Sequence, residues 1–122
     1  MTPIVRECFP IRLISINRAI YHDPKELRVF ADISRPFFNT QFSKYERIDF
    51  PVVIVITAYF NSKKYAIDPD NQFIKPIIDS LAQFVLMNKQ DGFEEVHEVR
   101  TRTRVNTQSR VVVEVYRSPY EL

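Results

Sequence analysis

The chain has 122 residues, and 45% of them are hydrophobic, which is enough for the core of one globular domain over residues 1–122. It contains a single glycine and a single cysteine, which excludes a glycine-rich nucleotide-binding loop and an internal disulfide. The net charge of +2 is too small to identify a partner, so the positions of the charges matter more than their sum.

The longest apolar run, residues 52–60, is too short to cross a bilayer, and the N-terminus lacks the apolar stretch of a signal peptide. We therefore expect a cytoplasmic protein with no membrane partner. The scarcity of glycine also argues against a nucleotide cofactor. His22, His97 and Cys8 are too few for a structural zinc site.

The first third of the chain is predicted to hold a strand, a polar loop and a helix. Residues 4–9 favour a strand, and residues 15–18 are typical of a loop or short turn. A helix is predicted to begin at Pro24, and Pro36 is expected to end or kink it. We interpret residues 37–49 as mostly connecting structure.

The middle of the chain is dominated by two apolar segments. Residues 50–60 form a β-branched run that is apolar on both faces, which is typical of a central, buried strand. The next segment has apolar side chains at helical spacing, and Asn71, Lys75 and Asp79 recur every four residues as a polar stripe beside them. Pro76 is tolerated only in a first turn, so the regular helix is expected to begin after Asn71.

The last third is predicted to be a loop followed by two strands. Residues 87–92 form the loop, and we expect the strands at residues 94–105 and 111–116 to pair as a β-hairpin. One face of the first strand carries a basic stripe suited to phosphate contacts, formed by Arg100, Arg102 and Arg104. Alternating charge on an edge strand also discourages aggregation, and this alternative stays open. Together these elements predict an α+β domain, a small mixed β-sheet flanked by helices.

An acidic segment, Asp68-Pro69-Asp70-Asn71, follows the buried strand and precedes the helix. Two carboxylates two residues apart in an extended turn can point the same way. This arrangement suits Mg²⁺, which binds a few protein oxygens and leaves its other positions to water and phosphate. Lys75 follows closely enough in sequence to meet a phosphate oxygen. The same residue types are favoured in turns and helix caps, so the segment alone is a weak signal.

Over residues 68–115 the chain resembles the RusA family of Holliday junction resolvases, which are common in prophages. The family motif is Asp-x-Asp-Asn, a lysine, an Asp-x-Leu on the same helix and one or two aspartates before a strand, with a short Ser-x-Asn element near the N-terminus. The matching residues are Asp68, Asp70, Asn71, Lys75, Asp79, Leu81, Asp91, Ser15 and Asn17. The predicted order of strand, helix, buried strand, acidic turn, helix and hairpin also agrees with the family.

The resemblance implies a RusA-like homodimer that resolves four-way DNA junctions in recombination and repair by Mg²⁺-dependent phosphodiester hydrolysis, with Mn²⁺ as a substitute. It assigns the metal to Asp68, Asp70 and Asp91, and it assigns charge stabilisation at the phosphate to Lys75. A two-fold dimer also suits a junction that is itself roughly two-fold. Contacts with the DNA are expected from Asn17, Arg18, Lys63, Lys64, Arg100, Arg102 and Arg104.

The chain departs from the family pattern in the spacing of its lysine. Lys75 lies four residues after Asn71, where the family usually has three. One extra residue, Gln72 or Phe73, therefore stands between them, and the sequence does not show how the fold accommodates it.

A second departure concerns the third metal ligand. Asp91 stands alone where the family usually has an aspartate pair, and Glu94 or Glu95 is an alternative ligand. Two other functions therefore stay open. One is a catalytically degenerate RusA-like protein that binds branched DNA without cleaving it. The other is a protein-interaction domain whose acidic turn has no chemical role.

Overall fold

A four-stranded mixed β-sheet with helices packed against it organises the part of the chain that the structure describes. The structure is a computed structural model, and it describes residues 2–87 and 91–120, without the side chains of residues 21 and 22. The elements are β1 (Val5–Phe9), α1 (Ile16–His22), α2 (Lys25–Phe42), β2 (Val52–Phe60), a 3₁₀ turn (Pro69–Asn71), α3 (Lys75–Phe84), β3 (Val96–Val105) and β4 (Arg110–Arg117). The strand order β1-β4-β2-β3 confirms the α+β class and the small mixed sheet.

β2 is the central strand that the sequence predicts. Every residue of this strand except Tyr59 is buried. β3 pairs with one edge of β2 in parallel, and β4 pairs with the other edge antiparallel. Because both edges are occupied, the backbone N–H and C=O groups of β2 are satisfied within the sheet, and its β-branched side chains are covered on both faces.

The predicted hairpin of β3 and β4 is wrong, because β2 lies between these two strands. The chain therefore crosses from one edge of β2 to the other after β3. The crossing stays close to the end of β2, where the backbone N–H of Asn106 donates to the carbonyl of Phe60. Turn residues predict a local reversal, but they do not reveal that the apolar β2 is the better partner for both strands.

The core lies between α2, α3 and one face of the sheet. Successive side chains of a strand point to opposite faces, so only alternate residues of β2, such as Ile54 and Ile56, join this core. Phe9 of β1 lies in the same layer. Its ring centroid is 4.8 Å from that of Phe38 and 5.5 Å from that of Phe42, and both pairs meet edge to face.

Helix α2 continues through Pro36, so the expected end at this proline is wrong, while the alternative of a kink stays a prediction. Pro36 has no N–H to donate to the carbonyl of Asp32, but both residues are exposed, and water can bond that carbonyl. The stabilisation from apolar burial comes from the opposite side of the helix, where Phe38 and Phe42 are fully buried. Residues 37–42 are therefore helical, and only residues 43–49 connect as predicted.

Two further boundaries differ from the prediction. The polar segment 15–18 begins α1, with Ser15 as the N-cap, and its side-chain oxygen accepts a hydrogen bond from the backbone N–H of Arg18. α3 begins after Asn71, as predicted, with Pro76 in its first turn. Asn71 itself belongs to the 3₁₀ turn, so the predicted polar stripe on α3 is reduced to two residues.

Part of the predicted loop 87–92 cannot be compared, because residues 88–90 lie outside the described residues. Asp91 and Gly92 lie in irregular structure before β3, as expected for a loop. Over the described ranges, no helix combines the length and the apolar character that a membrane crossing requires.

Candidate functional site

We define the acidic turn as residues 68–71. Its two carboxylates are exposed and, among the described residues, have no hydrogen-bond or salt-bridge partner. Asp68 occupies the N-cap position of the 3₁₀ turn, but its side chain makes no capping hydrogen bond. Among the residues that the structure describes, neither Asp68 nor Asp70 forms a side-chain hydrogen bond or a salt bridge. The structure thus gives no support to a capping role for these carboxylates.

Asn71 attaches the acidic turn to the start of α1. Its side-chain oxygen accepts a hydrogen bond of 2.9 Å from the backbone N–H of Asn17, and its amide group donates one of 2.7 Å to Ser15 Oγ. The backbones also meet, since Ser15 and Gln72 form an isolated β-bridge. The Ser-x-Asn element and the acidic motif, 54 residues apart in sequence, therefore form one structural unit.

The opposite side of the turn is attached to β3. Thr101 Oγ1 donates to the carbonyl of Pro69 over 2.7 Å, and Thr103 Oγ1 donates to the carbonyl of Ile67. Gln72 is 3% exposed, and its amide group donates to the Arg102 carbonyl over 2.8 Å. The turn is thus held by threonine hydroxyl, amide and backbone groups, and its carboxylates remain available.

The structure shows how the extra residue before Lys75 is accommodated. Gln72 is extended and points inward to β3, which ends the turn before α3 begins. Phe73 packs edge to face against Phe30 of α2, with ring centroids 6.1 Å apart. Both candidates for the extra residue, Gln72 and Phe73, are therefore used in packing, and Asn71 is separated from the helix.

Lys75 contacts its own helix. Its ammonium nitrogen lies 3.5 Å from Asp79 Oδ1, one turn further along α3. Arg35 of α2 approaches the other oxygen of the same carboxylate, also at 3.5 Å. The Lys75 side chain is 71% exposed, so this contact is a surface ion pair of small energy that leaves the ammonium free to reorient.

No third carboxylate joins the acidic turn within residues 2–87 and 91–120. Over these residues, no three His, Cys, Asp or Glu side chains lie close enough together to hold a metal ion. Asp91 and Glu94 are exposed before β3, whereas Glu95 is 4% exposed and lies against Gly92. The acidic turn therefore offers two carboxylates of its own, those of Asp68 and Asp70, and the described residues show no group of three.

A cavity of about 330 Å³ lies beside the acidic turn and is lined by both charged and apolar groups. Its polar lining includes Arg12, Ser15, Arg18, Lys64, Tyr65 and Asp68. The guanidinium carbon of Arg12 lies 4.6 Å from the centroid of the Tyr65 ring, which is a cation–π contact. Two of the predicted DNA-contacting residues, Arg18 and Lys64, are thus brought together next to Asp68.

Arg12 and Tyr65 are residues of this cavity that sequence reasoning missed. Arg12 lies in an irregular segment after β1, and Tyr65 follows a polar turn, so neither belongs to a periodic pattern. The two segments are brought together by long-range contacts, among them the hydrogen bonds of Asn71 and the bridge between Ser15 and Gln72. Lys63, also predicted to contact DNA, is exposed in the same turn but does not line the cavity.

The arginine stripe lies on the other face of the sheet. Thr101 and Thr103 face the acidic turn, so Arg100, Arg102 and Arg104, which alternate with them on β3, face away from it. We call this second face the outer face. A separate cavity of about 290 Å³ lies there, lined by Arg100, Arg102, Tyr116, Arg117, Val53, Val55 and Pro119. The stripe is therefore present but does not join the acidic turn.

Hydrogen bonds on the outer face hold some of its charges in place. Arg100 Nε lies 2.5 Å from Glu98 Oε1, and the Tyr120 hydroxyl donates to Glu98 Oε2 over 2.6 Å. These bonds, the one from Arg100 foremost, hold the pKa of the Glu98 carboxyl below its usual range. The Tyr116 hydroxyl donates to Glu114, and this bond, with burial, raises the pKa of Tyr116.

No protein-family model matches the chain, and no curated protein matches it. Membership of the RusA family therefore stays a prediction that depends on the residues and contacts described above.

Proposed function

We propose that this protein is a RusA-type, Mg²⁺-dependent endonuclease that cleaves four-way DNA junctions. The observation that carries the proposal is the acidic turn. The Asn71 side chain attaches it to α1 and Thr101 attaches its backbone to β3, while its two carboxylates have no partner among the described residues. A metal site needs oxygen ligands that the surrounding structure holds in position while it leaves them free of hydrogen bonds and salt bridges. Asn71, Thr101 and Thr103 provide that support.

The donors at the turn fit Mg²⁺. This ion commonly takes one or two protein carboxylates and completes its shell with water and substrate phosphate oxygens. Asp68 and Asp70 would hold it. The family resemblance assigns a third position to Asp91, although the described residues bring no third carboxylate to the turn. A bound Mg²⁺ supplies an activated water and neutralises charge on the scissile phosphate.

The positively charged residues around the turn would bind the DNA backbone. Arg18 and Lys64 line the cavity next to Asp68, where they meet a strand whose scissile phosphate lies at the acidic turn. The Lys75 ammonium, which is exposed and held only by a surface ion pair, would turn from Asp79 toward the phosphate and stabilise its developing charge.

We further propose that the active form is a homodimer with a RusA-like fold. Resolving a four-way junction requires cuts in two strands, and a two-fold dimer presents two identical acidic turns. A particle mass in solution twice the 14.5 kDa of one chain, measured by light scattering, is the expected result. A monomer at micromolar concentration, with or without junction DNA, would contradict this part of the proposal.

Cleavage of a synthetic four-way junction tests the enzyme directly. We expect nicks with Mg²⁺ or Mn²⁺ and none with EDTA. Asp70→Asn should lower the rate by at least about 10–100-fold, the range for losing an outer-shell partner, because it removes a direct ligand and a charge from the metal site. The matched control is Asp32→Asn, which changes an exposed aspartate of α2 whose one salt bridge within the described residues is to Arg28. Equal losses in both variants would show that Asp70 has no special role.

A second candidate function is binding of branched DNA without cleavage. Two observations favour it: the described residues bring no third carboxylate to the acidic turn, and Lys75 is paired with Asp79. In that case the junction binds more tightly than duplex DNA, while no divalent metal produces nicks. If junction and duplex bind equally and Asp70→Asn leaves metal affinity unchanged, both DNA functions fail and an interaction domain is the remaining explanation.

A further inference from the structure

The cavity beside the acidic turn is concave and of defined size, unlike a flat basic surface. Its volume of about 330 Å³ lies at the lower end of the range for small-molecule sites. The walls combine apolar groups, including Leu13 and Ile67, with the charged groups named above. Asp68 is part of the lining, so any occupant lies next to the proposed metal site.

Three cations of this cavity have no anionic partner among the described residues. Arg12, Arg18 and Lys64 form no salt bridge there, and their side chains donate no hydrogen bond to protein atoms. Glu26 also lines the cavity but pairs with none of them. Three cations that line one concave site are a suitable environment for a phosphate group.

Arg12 is oriented for such a contact by Tyr65. Its guanidinium stacks over the ring at 4.6 Å, and Lys64 Nζ lies 5.6 Å from the same ring centroid. Stacking covers one face of the guanidinium and leaves its N–H edge free for two parallel hydrogen bonds to phosphate oxygens. Lysine at position 12 would keep the charge but lose this planar arrangement.

We propose that this cavity binds one unpaired nucleotide of the DNA strand, with its phosphate on Arg12, Arg18 and Lys64. This proposal rests on the proposed function in one respect, namely that the nucleotide belongs to a DNA strand. A paired and stacked base cannot enter a cavity, so the nucleotide must leave the duplex, and this is least unfavourable where pairing is already interrupted. The cavity would thus explain why branched DNA is preferred over duplex DNA.

Metal-free binding of thymidine 3′,5′-bisphosphate tests the cavity without any cleavage step. We expect Arg12→Ala and Lys64→Ala each to weaken binding of this probe by about tenfold or more, and Arg12→Lys to recover only part of the loss. The matched control is Arg28→Ala, an exposed arginine of α2 with an 88% exposed side chain, which should bind like the unchanged protein. Circular dichroism of each variant verifies the fold.

Three results of the binding experiment would overturn the proposal: unchanged binding in Arg12→Ala and Lys64→Ala, an equal loss in Arg28→Ala, or equally tight binding of inorganic phosphate alone. Competition between the bisphosphate and a junction, but not a duplex of equal length, is the result expected for DNA. Failure of the nuclease proposal can be distinguished from failure of the cavity proposal. If no divalent metal produces nicks, binding of the bisphosphate is still expected. Conversely, full cleavage by Arg12→Ala with unchanged junction preference would exclude the cavity and leave the nuclease standing.

Discussion

At the scale of single residues, Asn71 is the side chain that joins the acidic turn to the rest of the fold. The sequence resemblance places it in one motif with Asp68 and Asp70, and places Ser15 and Asn17 in another. The structure brings the two motifs into direct contact. The role of Asn71 is therefore positional, since its amide holds the turn while the neighbouring carboxylates stay free.

Asn71→Ala should lower the free energy of unfolding by about 1–3 kcal/mol, because it removes two hydrogen bonds, one from the N–H of Asn17 and one to Ser15 Oγ, each worth roughly 0.5–1.5 kcal/mol. Urea denaturation measures the change. The control is Asn61→Ala, an exposed asparagine whose side chain makes no hydrogen bond within the described residues, and we expect less than about 0.5 kcal/mol there. Equal effects would contradict the anchoring role.

Glu98 makes stability depend on pH in the acid range. Hydrogen bonds from Arg100 and Tyr120 hold the pKa of this carboxyl below its usual range in the folded state. The stabilisation is therefore present above the ordinary glutamate pKa and is lost as the pH falls through the lower folded value. In Glu98→Gln, urea denaturation should show a smaller loss of stability below about pH 4, whereas exposed Glu46→Gln should behave like the unchanged protein.

At the scale of elements, α2 shows how tertiary burial overrides a local signal. The proline rule predicts an end near residue 36, yet the helix continues to Phe42 because Phe38 and Phe42 fill the core beneath the sheet. Burying each ring contributes about 1.5–3 kcal/mol, which offsets the roughly 3 kcal/mol cost of an internal proline.

Pro36→Ala should therefore raise the free energy of unfolding by about 1–2 kcal/mol. Alanine supplies the backbone N–H that the carbonyl of Asp32 lacks as a donor, and it removes the clash of the proline ring with that carbonyl. Thermal and urea unfolding both report this change. Ile33→Ala, on the exposed side of the same helix, should shift stability by no more than about 0.5 kcal/mol. A less stable Pro36→Ala protein would show that proline acts mainly by restricting the unfolded chain.

The elements that can be predicted are those whose signal lies within the element. β2 is a run of β-branched residues, and the helical spacing before Val85 is regular, so the sequence is enough to find both. The supposed hairpin, the length of α2 and the cavity formed by Arg12 and Tyr65 depend on which distant segments meet. A local pattern along the chain does not show which distant segments come into contact.

At the scale of the whole molecule, positive charge lies on two separate surfaces. One surrounds the acidic turn, and the other is the outer face of the sheet with its arginine stripe. A strand of DNA at the acidic turn therefore cannot meet the stripe at the same phosphate. If the stripe binds DNA, it binds a different segment of the branched molecule.

Replacing Arg100, Arg102 and Arg104 together by alanine separates the two explanations of the stripe. If the stripe binds DNA, the slope of log affinity against log salt should fall by about 0.9 for each phosphate that the arginines neutralise, while cleavage at saturating DNA stays unchanged. Replacement of all three by lysine is the control and should retain the slope. Unchanged affinity combined with aggregation would instead identify the stripe as protection of an edge strand.

The central position of β2 has a consequence for synthesis of the chain. Its nine residues contain no charge, no proline and no glycine, which is the composition of segments that stack into cross-β aggregates. Both of its hydrogen-bonding partners, β3 and β4, are encoded later, so a ribosome-bound chain exposes β2 until residues 96–117 have emerged. Premature termination before residue 96 would therefore yield fragments that assemble with one another.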